Sequence, residues 1–496
     1  MNLQRINPGL IAVPAGILTT FSFAPFDIWP LAILGPALLF WLWMKNQGAG
    51  FRLGLLYGLG LMGSGITWLY VSIAQFGNVG WFLPILVTAV FVIIIALFYA
   101  LLGWLGDRFK VPDRLKLLGI FPALWVLVEW LRGWFLTGFP WLELGYSQID
   151  TPLAGYGPMM GGLGISFSVV LSAGLILLMF NPGRVRWYAG SGLLALWLVG
   201  WGLLQIQWSR QSADPISVAL IQGNIPQEKK WELDQLAPSL TLYARRTKEN
   251  FGAELIVWPE TAVSAFQHQV DEVFLQPLEA ELKKQGSVLV FGVVRLGEDG
   301  TRYYNSMIAM GKQRDHYSKR HLVPFTEYLP LKSLLWELVD FLTIPMSDFT
   351  AGGKAKPLMQ VGDHQVGMSI CYEDAFGSEM AQALPEAAYL INASNDAWFG
   401  DSLAPHQHLQ IARMRALETS RYLLRSTNTG ISAIVGPNGA LIARSPLLEE
   451  AVLKGQILPM SGATPFARFG NLPILALLIL VIVICFPCAH KRFRDR

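Results

Sequence analysis

Three residues supply the groups of a thiol-based acyl or amide chemistry, and each follows a run that reads as a β-strand: Glu260 closes LIVWPE, Lys319 follows the run through Tyr317, and Cys371 closes VGMSIC. Strand ends are where α/β folds gather groups from distant parts of a chain. A thiol can attack a carbonyl carbon, a carboxylate can take its proton, and an ammonium can stabilise the oxyanion of the tetrahedral intermediate. Taken singly, the same residues read as a surface Glu, a solvated Lys and an inert buried Cys. A free Glu near pKa 4.3 is a poor base for a thiol near 8.5, a mismatch of roughly 4 units or about 5 to 6 kcal/mol. Burial and apolar neighbours such as Trp258 are expected to raise the carboxyl, and the lysine charge to lower the thiol. His316, His321 and His364 are competing bases, but none follows a strand as Glu260 does.

The elements that must position these groups begin near residue 215. ISVALIQG, AELIVWPE, SVLVFGVVR, YYNSMIAMG, QVGMSICYE and AAYLINAS read as strands, and ISAIVGPNGALIA reads as a hairpin turning at Pro437 to Gly439. Helical patterns at Leu236 to Asn250 and Val270 to Gln285 alternate with them. That alternation predicts α/β layers, with a two-layered sheet flanked by helices.

The rest of the chain is written for lipid. Of its 496 residues 53% are hydrophobic and only 15% charged, against roughly a quarter charged in soluble domains. Runs long enough to cross a bilayer, about 20 residues each, fall near 8–26, 28–45, 53–74, 82–106, 116–135, 161–181, 187–207 and 470–488. The expectation is therefore a membrane domain at 1–210, a catalytic domain at 211–465, and a final span with a basic tail at 466–496. Further apolar spans follow the first one at once, so it does not read as a cleavable signal peptide. Basic residues stay in cytoplasmic loops. They occupy alternate connections (Arg5; Lys45 and Arg52; Arg108 to Lys116; Arg184 and Arg186; Lys491 to Arg496), while Gln75 to Trp81 and Thr137 to Met160 have none. Both termini are then cytoplasmic and the catalytic domain lies on the far side. A net charge of +3 without a basic, aromatic-laced face excludes nucleic acid as a partner. A transporter would need membrane-embedded charges, and the main candidates, Glu129 and Arg132, lie three apart as a structural ion pair would. Three cysteines provide no disulfide framework for the soluble part, and nothing of metal-ligand character surrounds Cys485 and Cys488.

At VWPET, YSKRHLVPF and ICYED the sequence resembles the nitrilase superfamily and its Glu, Lys and Cys triad. More narrowly, FAPFDIWPLA, EWLRGWFLTGFPWLELGYSQ, QGNIPQEKKW, PFTEYLP and NASNDAWFG resemble the bacterial apolipoprotein N-acyltransferases over essentially the whole chain. The resemblance implies an αββα sandwich on eight transmembrane helices in the inner membrane, with the catalytic domain periplasmic. It also implies a ping-pong transfer from phospholipid, typically phosphatidylethanolamine at sn-1, to the α-amino group of a diacylglyceryl-cysteine lipoprotein, with no cofactor or metal. It assigns supporting places to Glu327, Tyr372 and Glu373, and lid or substrate contacts to Trp231, Trp398 and Phe399. The apolar run from Leu334 to Met346 reads as ordinary packing. Two rivals remain at this point: a membrane-tethered amidase or nitrilase in which water resolves the thioester, and a transporter or scaffold with an inactive nitrilase-like domain.

Overall fold

Strict alternation of side chains organises the strand-rich part of the chain. Its strands are β1 (Ser209–Gln211), β2 (Ile216–Gln222), β3 (Leu255–Val257), β4 (Val263–Phe266), β5 (Val288–Leu296), β6 (Tyr303–Met310), β7 (Asp315–Ser318), β8 (Leu358–Val361), β9 (His364–Ile370), β10 (Leu390–Ser394), β11 (Leu423–Thr427), β12 (Ala433–Val435), β13 (Leu441–Arg444), β14 (Ala451–Ile457) and β15 (Met460–Gly462). They come from a computed structural model that describes residues 7–77, 80–329 and 348–494, without the side chains of Phe76 and 486–494. Pro330 of PFTEYLP and the Leu334 to Met346 run lie outside the described residues. One sheet has the order β14, β2, β3, β5, β6, β7, with β4 also paired to β5; the other has the order β13, β12, β11, β10, β9, β8. Each has a parallel centre, β2 with β3 and β5 in the first and β9 with β10 and β11 in the second.

On β2, Ile216, Val218 and Leu220 enter one core while Ala219 and Ile221 enter the opposite one, the period of two that a strand imposes. The first core lies between the sheets, where Leu220, Val257, Val290 and Met307 meet Met368, Ile391, Leu424 and Ile434. The second joins the β2–β3–β5 sheet to the helices Leu233–Lys248 and Gln276–Gln285 through Ile256, Trp258, Phe291, Tyr243 and Leu282. A third joins the other sheet to the helix Leu403–Thr419 through Leu390, Leu423, Leu409 and Ala412. Four layers, helix, sheet, sheet and helix, make the expected αββα sandwich.

This sandwich, Trp208–Arg468, forms one compact unit together with Val71–Pro84, and the remaining segments, Met1–Tyr70, Ile85–Gln207 and Phe469–Arg496, form a second. Among the described residues three helical stretches are long and apolar enough to cross a membrane: Phe82–Arg108, Pro152–Met179 and Val185–Leu204. Gly50–Gly65 and Trp68–Gln75, bent by 54°, make a fourth if counted as one broken span. The eight spans expected are thus not all matched by spanning helices among the described residues. Gly9–Thr20 and Leu31–Lys45, at two of the other expected positions, are shorter; Phe121–Arg132 continues the helical turn Lys116–Ile120, and the last helix is Leu472–Arg494. At 1.5 Å per residue the first two, of 12 and 15 residues, reach roughly 18 and 22 Å against a hydrocarbon core of about 30 Å. Small residues let these helices touch: a Cβ on Gly16 would lie 2.1 Å from the Tyr57 carbonyl oxygen, and one on Gly60 2.2 Å from that of Val13. Glu129 and Arg132 do not form the expected direct pair. Glu129 Oε1 accepts from the Trp125 indole at 2.9 Å and the Leu144 amide at 3.1 Å, and Arg132 donates to the Trp141 carbonyl, because the 141–144 segment folds back over the helix and captures both side chains. Cys485 is buried with its Sγ against Gly119.

The two sheets share a polar seam at Gln222. Its amide oxygen accepts from the hydroxyls of Ser432, Ser445 and Thr427 at 2.7, 2.8 and 3.2 Å, and its nitrogen donates to the carbonyls of Pro446 and Glu449. Gln222→Leu strands these buried partners and is expected to destabilise the sandwich by at least roughly 2 kcal/mol, measured as a lowered midpoint of denaturation followed by tryptophan fluorescence.

Candidate active site

Cys371 begins the tight turn Cys371–Ala375 immediately after β9 and has φ +52, a left-handed conformation that a side chain with a Cβ rarely adopts. The turn is tied down by Glu373, which is 3% exposed. Its carboxylate accepts from the Ile370 amide at 2.7 Å, the Arg320 amide at 2.7 Å, the His321 amide at 3.0 Å and the Tyr317 hydroxyl at 2.9 and 3.0 Å. One buried carboxylate therefore fastens the Cys371 turn, on one sheet, to the segment that carries Lys319, on the other. Burial pushes the Glu373 carboxyl above the usual range, and the three amides pull against that.

Lys319 continues β7, its amide donating to the Asn305 carbonyl on β6 at 2.8 Å. Its Nζ is fully enclosed, 2.9 to 3.0 Å from the Glu327 carboxylate and 3.5 Å from Glu260 Oε1. Burial disfavours this charge, but Glu327 and then Glu260 outweigh it and hold the ammonium above the ordinary lysine range. Glu260 follows β3, and its Oε1 also accepts from the Asn305 amide at 2.7 Å; the same amide reaches Glu327 at 3.1 Å. The structure thus brings Glu260, Lys319 and Glu327 into one cluster about Asn305, and the Cys371 thiol feels both Glu260 and Lys319.

Two electrostatic expectations change. The thiol is not lowered: burial pushes it up, Glu260 adds to that, and the opposing pull of Lys319 is smaller. Trp258 turns into the helix-side core, stacked on Tyr243 at 4.9 Å, so the hydrogen-bond and ion-pair partners of the Glu260 carboxylate are Asn305 and Lys319. Of the competing histidines, His364 starts β9, the opposite end of the strand from Cys371, and His321 pairs with Glu379 at 2.9 Å and stacks on Phe376. His316 lies exposed on β7. Tyr372 packs edge-on to Phe376 at 5.1 Å. Trp231 is 51% exposed on the turn 227–231, and Trp398 and Phe399 are half-buried on the turn Asp396–Phe399. Among the described residues no three His, Cys, Asp or Glu side chains could hold a metal ion.

Residues 217–465 match the family model for carbon-nitrogen hydrolases, and residues 15–175 that for the apolipoprotein N-acyltransferase N-terminal domain. The chain is 45% identical to the apolipoprotein N-acyltransferase of Methylococcus capsulatus, covering 96% of this chain and 95% of that protein. It is 40% identical to that of Nitrosomonas europaea, with 96% of each chain covered, and 36% identical to that of Vibrio parahaemolyticus, with 99% and 100% covered. The chain belongs to the apolipoprotein N-acyltransferase family.

The acyltransferase also holds a buried charge network that its sequence does not announce. His408, from the helix Leu403–Thr419, lies between Asp396 at 3.0 Å and Asp374 at 2.8 Å, and Arg425 on β11 bridges the same two carboxylates at 2.8 and 3.3 Å. Arg425 also donates to Asn392, whose amide reaches the Cys371 carbonyl at 3.2 Å, and Ser394 donates to Asp396. Two cations against two carboxylates balance the charge directly behind the Cys371 turn. The four residues are spread from Asp374 to Arg425 and follow no motif spacing; the available signal was an arginine directly after the apolar pair Leu423 and Leu424. Burial and Arg425 disfavour a charged His408, but Asp374 and Asp396 outweigh them and raise it from 6.5 to about 9.

A histidine raised in this way contributes stability that is complete below about pH 6.5 and lost as pH climbs through about 9. The denaturation midpoint of the acyltransferase is expected to fall between pH 7 and 9.5, and His408→Gln to flatten that dependence over the same range. Equal slopes for the two proteins in thermal scans would contradict the assignment.

Proposed function

We propose that Cys371 is the nucleophile of a two-step acyl transfer in which Glu260 carries the proton and Lys319 stabilises the oxyanion. The observation behind this reading is the 3.5 Å approach of the Lys319 ammonium to the Glu260 carboxylate in an enclosed cluster whose charges both act on the Cys371 thiol. In the first step Cys371 Sγ attacks the sn-1 ester carbonyl of a phospholipid, for which we take phosphatidylethanolamine. The thiol proton passes to Glu260 and then to the leaving glycerol oxygen, so a thioester forms and a lysophospholipid departs. In the second step the α-amino group of a diacylglyceryl-cysteine lipoprotein attacks the thioester; Glu260 takes a proton from the amine and returns one to the sulfur, leaving an amide and a free thiol. Ester and thioester are nearly isoenergetic and thioester to amide is strongly downhill, so the second step drives the pair.

In this reading Glu327 is the counter-ion that fixes Lys319, Glu373 holds the nucleophile's turn, and Tyr372 flanks the nucleophile. Trp231, Trp398 and Phe399 line the acyl chain's path and keep out water, the competing acceptor. In the same reading the chain crosses the inner membrane eight times, seven before the catalytic domain and one after, with both termini in the cytoplasm and the sandwich in the periplasm, where phospholipid and lipoprotein are both at hand.

Intact mass spectrometry of the full chain in detergent with phosphatidylethanolamine tests the reading. One fatty-acyl mass is expected on wild type and none on Cys371→Ala, and a diacylated lipopeptide added afterwards should remove it and gain it on its amine. Discharge only to water would replace the transferase by a hydrolase; no adduct on folded protein with any of several phospholipids would overturn the donor.

A further inference from the structure

The turn 227–231 carries into the site a second lysine that the reaction above does not use. Lys230 is 2% exposed, and its Nζ donates to the main-chain carbonyl of Glu260 at 3.2 Å and to the Thr261 hydroxyl at 2.6 Å. We propose that Lys230 is a positioning residue for the general base: it clamps the Glu260–Thr261 turn and keeps a positive charge behind the Glu260 carboxylate that is to receive the thiol proton. The inference rests on Glu260 being the proton carrier, as proposed above.

The clamp has a structural reason to exist. β3 ends at Val257, so the Glu260 carbonyl has left the sheet, and Thr261 is left-handed at φ +45. On one side the turn lies against β5, where a Cβ on Gly292 would fall 2.3 Å from the Thr261 nitrogen; Lys230 anchors the turn through its carbonyl and hydroxyl. The fold alone does not call for a lysine here. A buried ammonium whose hydrogen bonds go to a carbonyl and a hydroxyl costs more than an apolar side chain of similar length. The charge has a use in the reaction. Lys230 and Lys319 stand against Glu260 and Glu327, and once Glu260 holds the proton and an oxyanion has formed the count is again two against two.

The charged and titratable groups facing Lys230 are Glu260 from the turn after β3 and Cys371 from the turn after β9, with Lys319 and Glu327 beyond Glu260. Glu228, Lys229 and Glu232 beside it in sequence are exposed. Burial draws the ammonium down from 10.5 to about 8, with Glu260 and Cys371 opposing, so Lys230 is mostly charged at neutral pH and loses its charge above about pH 8.

The test is the pH profile of single-turnover acyl-enzyme formation, read by intact mass on the full chain in mixed micelles with phosphatidylethanolamine. In Lys230→Met the acid limb should move up by about one pH unit, because removing a cation disfavours the Glu260 carboxylate, with about a tenfold slower reaction below the limb. Lys230→Gln, which keeps hydrogen-bonding capacity without charge, should share that shift, and Lys230→Arg should retain the wild-type acid limb. A uniform slowing at every pH with the limb unmoved, or a wild-type profile in Met and Gln, overturns the inference while leaving the reaction standing. Should neither neutral variant fold, Lys230→Arg carries the test: it must keep the wild-type acid limb, and a limb moved upward in it overturns the inference too. If wild type forms no acyl-enzyme, the underlying reaction fails with it.

Discussion

Two sheets that exchange no strand must meet so that Cys371 on one comes to the cluster of Glu260 and Lys319 on the other, and the Glu373 carboxylate is the joint at which they do. Its two oxygens accept from the Ile370 amide at the end of β9 and from two amides and a phenol in the Lys319 segment. Hydrogen bonds to a charged, enclosed acceptor are among the stronger ones, and an unmade one is expensive where water cannot replace it. Apolar packing between the sheets brings them to the right spacing, but packing is tolerant of small slips and this carboxylate is not. The Gln222 seam performs the same service for β2 and the 427–445 region.

Around that joint the charges are arranged in balanced groups. Lys319 is enclosed by Glu327 and Glu260, and His408 and Arg425 by Asp374 and Asp396. Buried pairs of this kind contribute little to stability compared with well-packed apolar residues. They make sense as preorganisation: donors and charges already in place when an oxyanion appears need no rearrangement at that moment. The same enclosure pushes the Cys371 thiol up, toward its protonated form, with Glu260 adding to that and Lys319 opposing it.

Much of this was legible in the residues. Glu260, Lys319 and Cys371 each stand after a strand, β3, β7 and β9, and the alternation of strand-like runs with helical patterns predicted the α/β layers. The pairing of β12 and β13 turns at the Pro437 to Gly439 site that the hairpin pattern marked. Asn305 was passed over because a single asparagine inside YYNSMIAMG has no periodic signature; its role exists only once β6 lies between β5 and β7. The helix Leu403–Thr419 was missed for a related reason: covered on nearly all sides, it lacks the amphipathic stripe by which surface helices are recognised. Apolar composition marked where membrane helices lie but not how long each runs, since turns such as the one between Thr20 and Leu31 are written in the same apolar alphabet as the helices they separate.

The protonated resting thiol is the point at which the account is most exposed. Alkylation of Cys371 by iodoacetamide across pH 6 to 10, followed on the Cys371 peptide by mass spectrometry, measures it directly. The account predicts a rate still rising past the ordinary thiol range near 8.5, with no plateau at neutral pH. A plateau reached by pH 7 would mean a standing thiolate paired with Lys319, and would contradict the role given to Glu260.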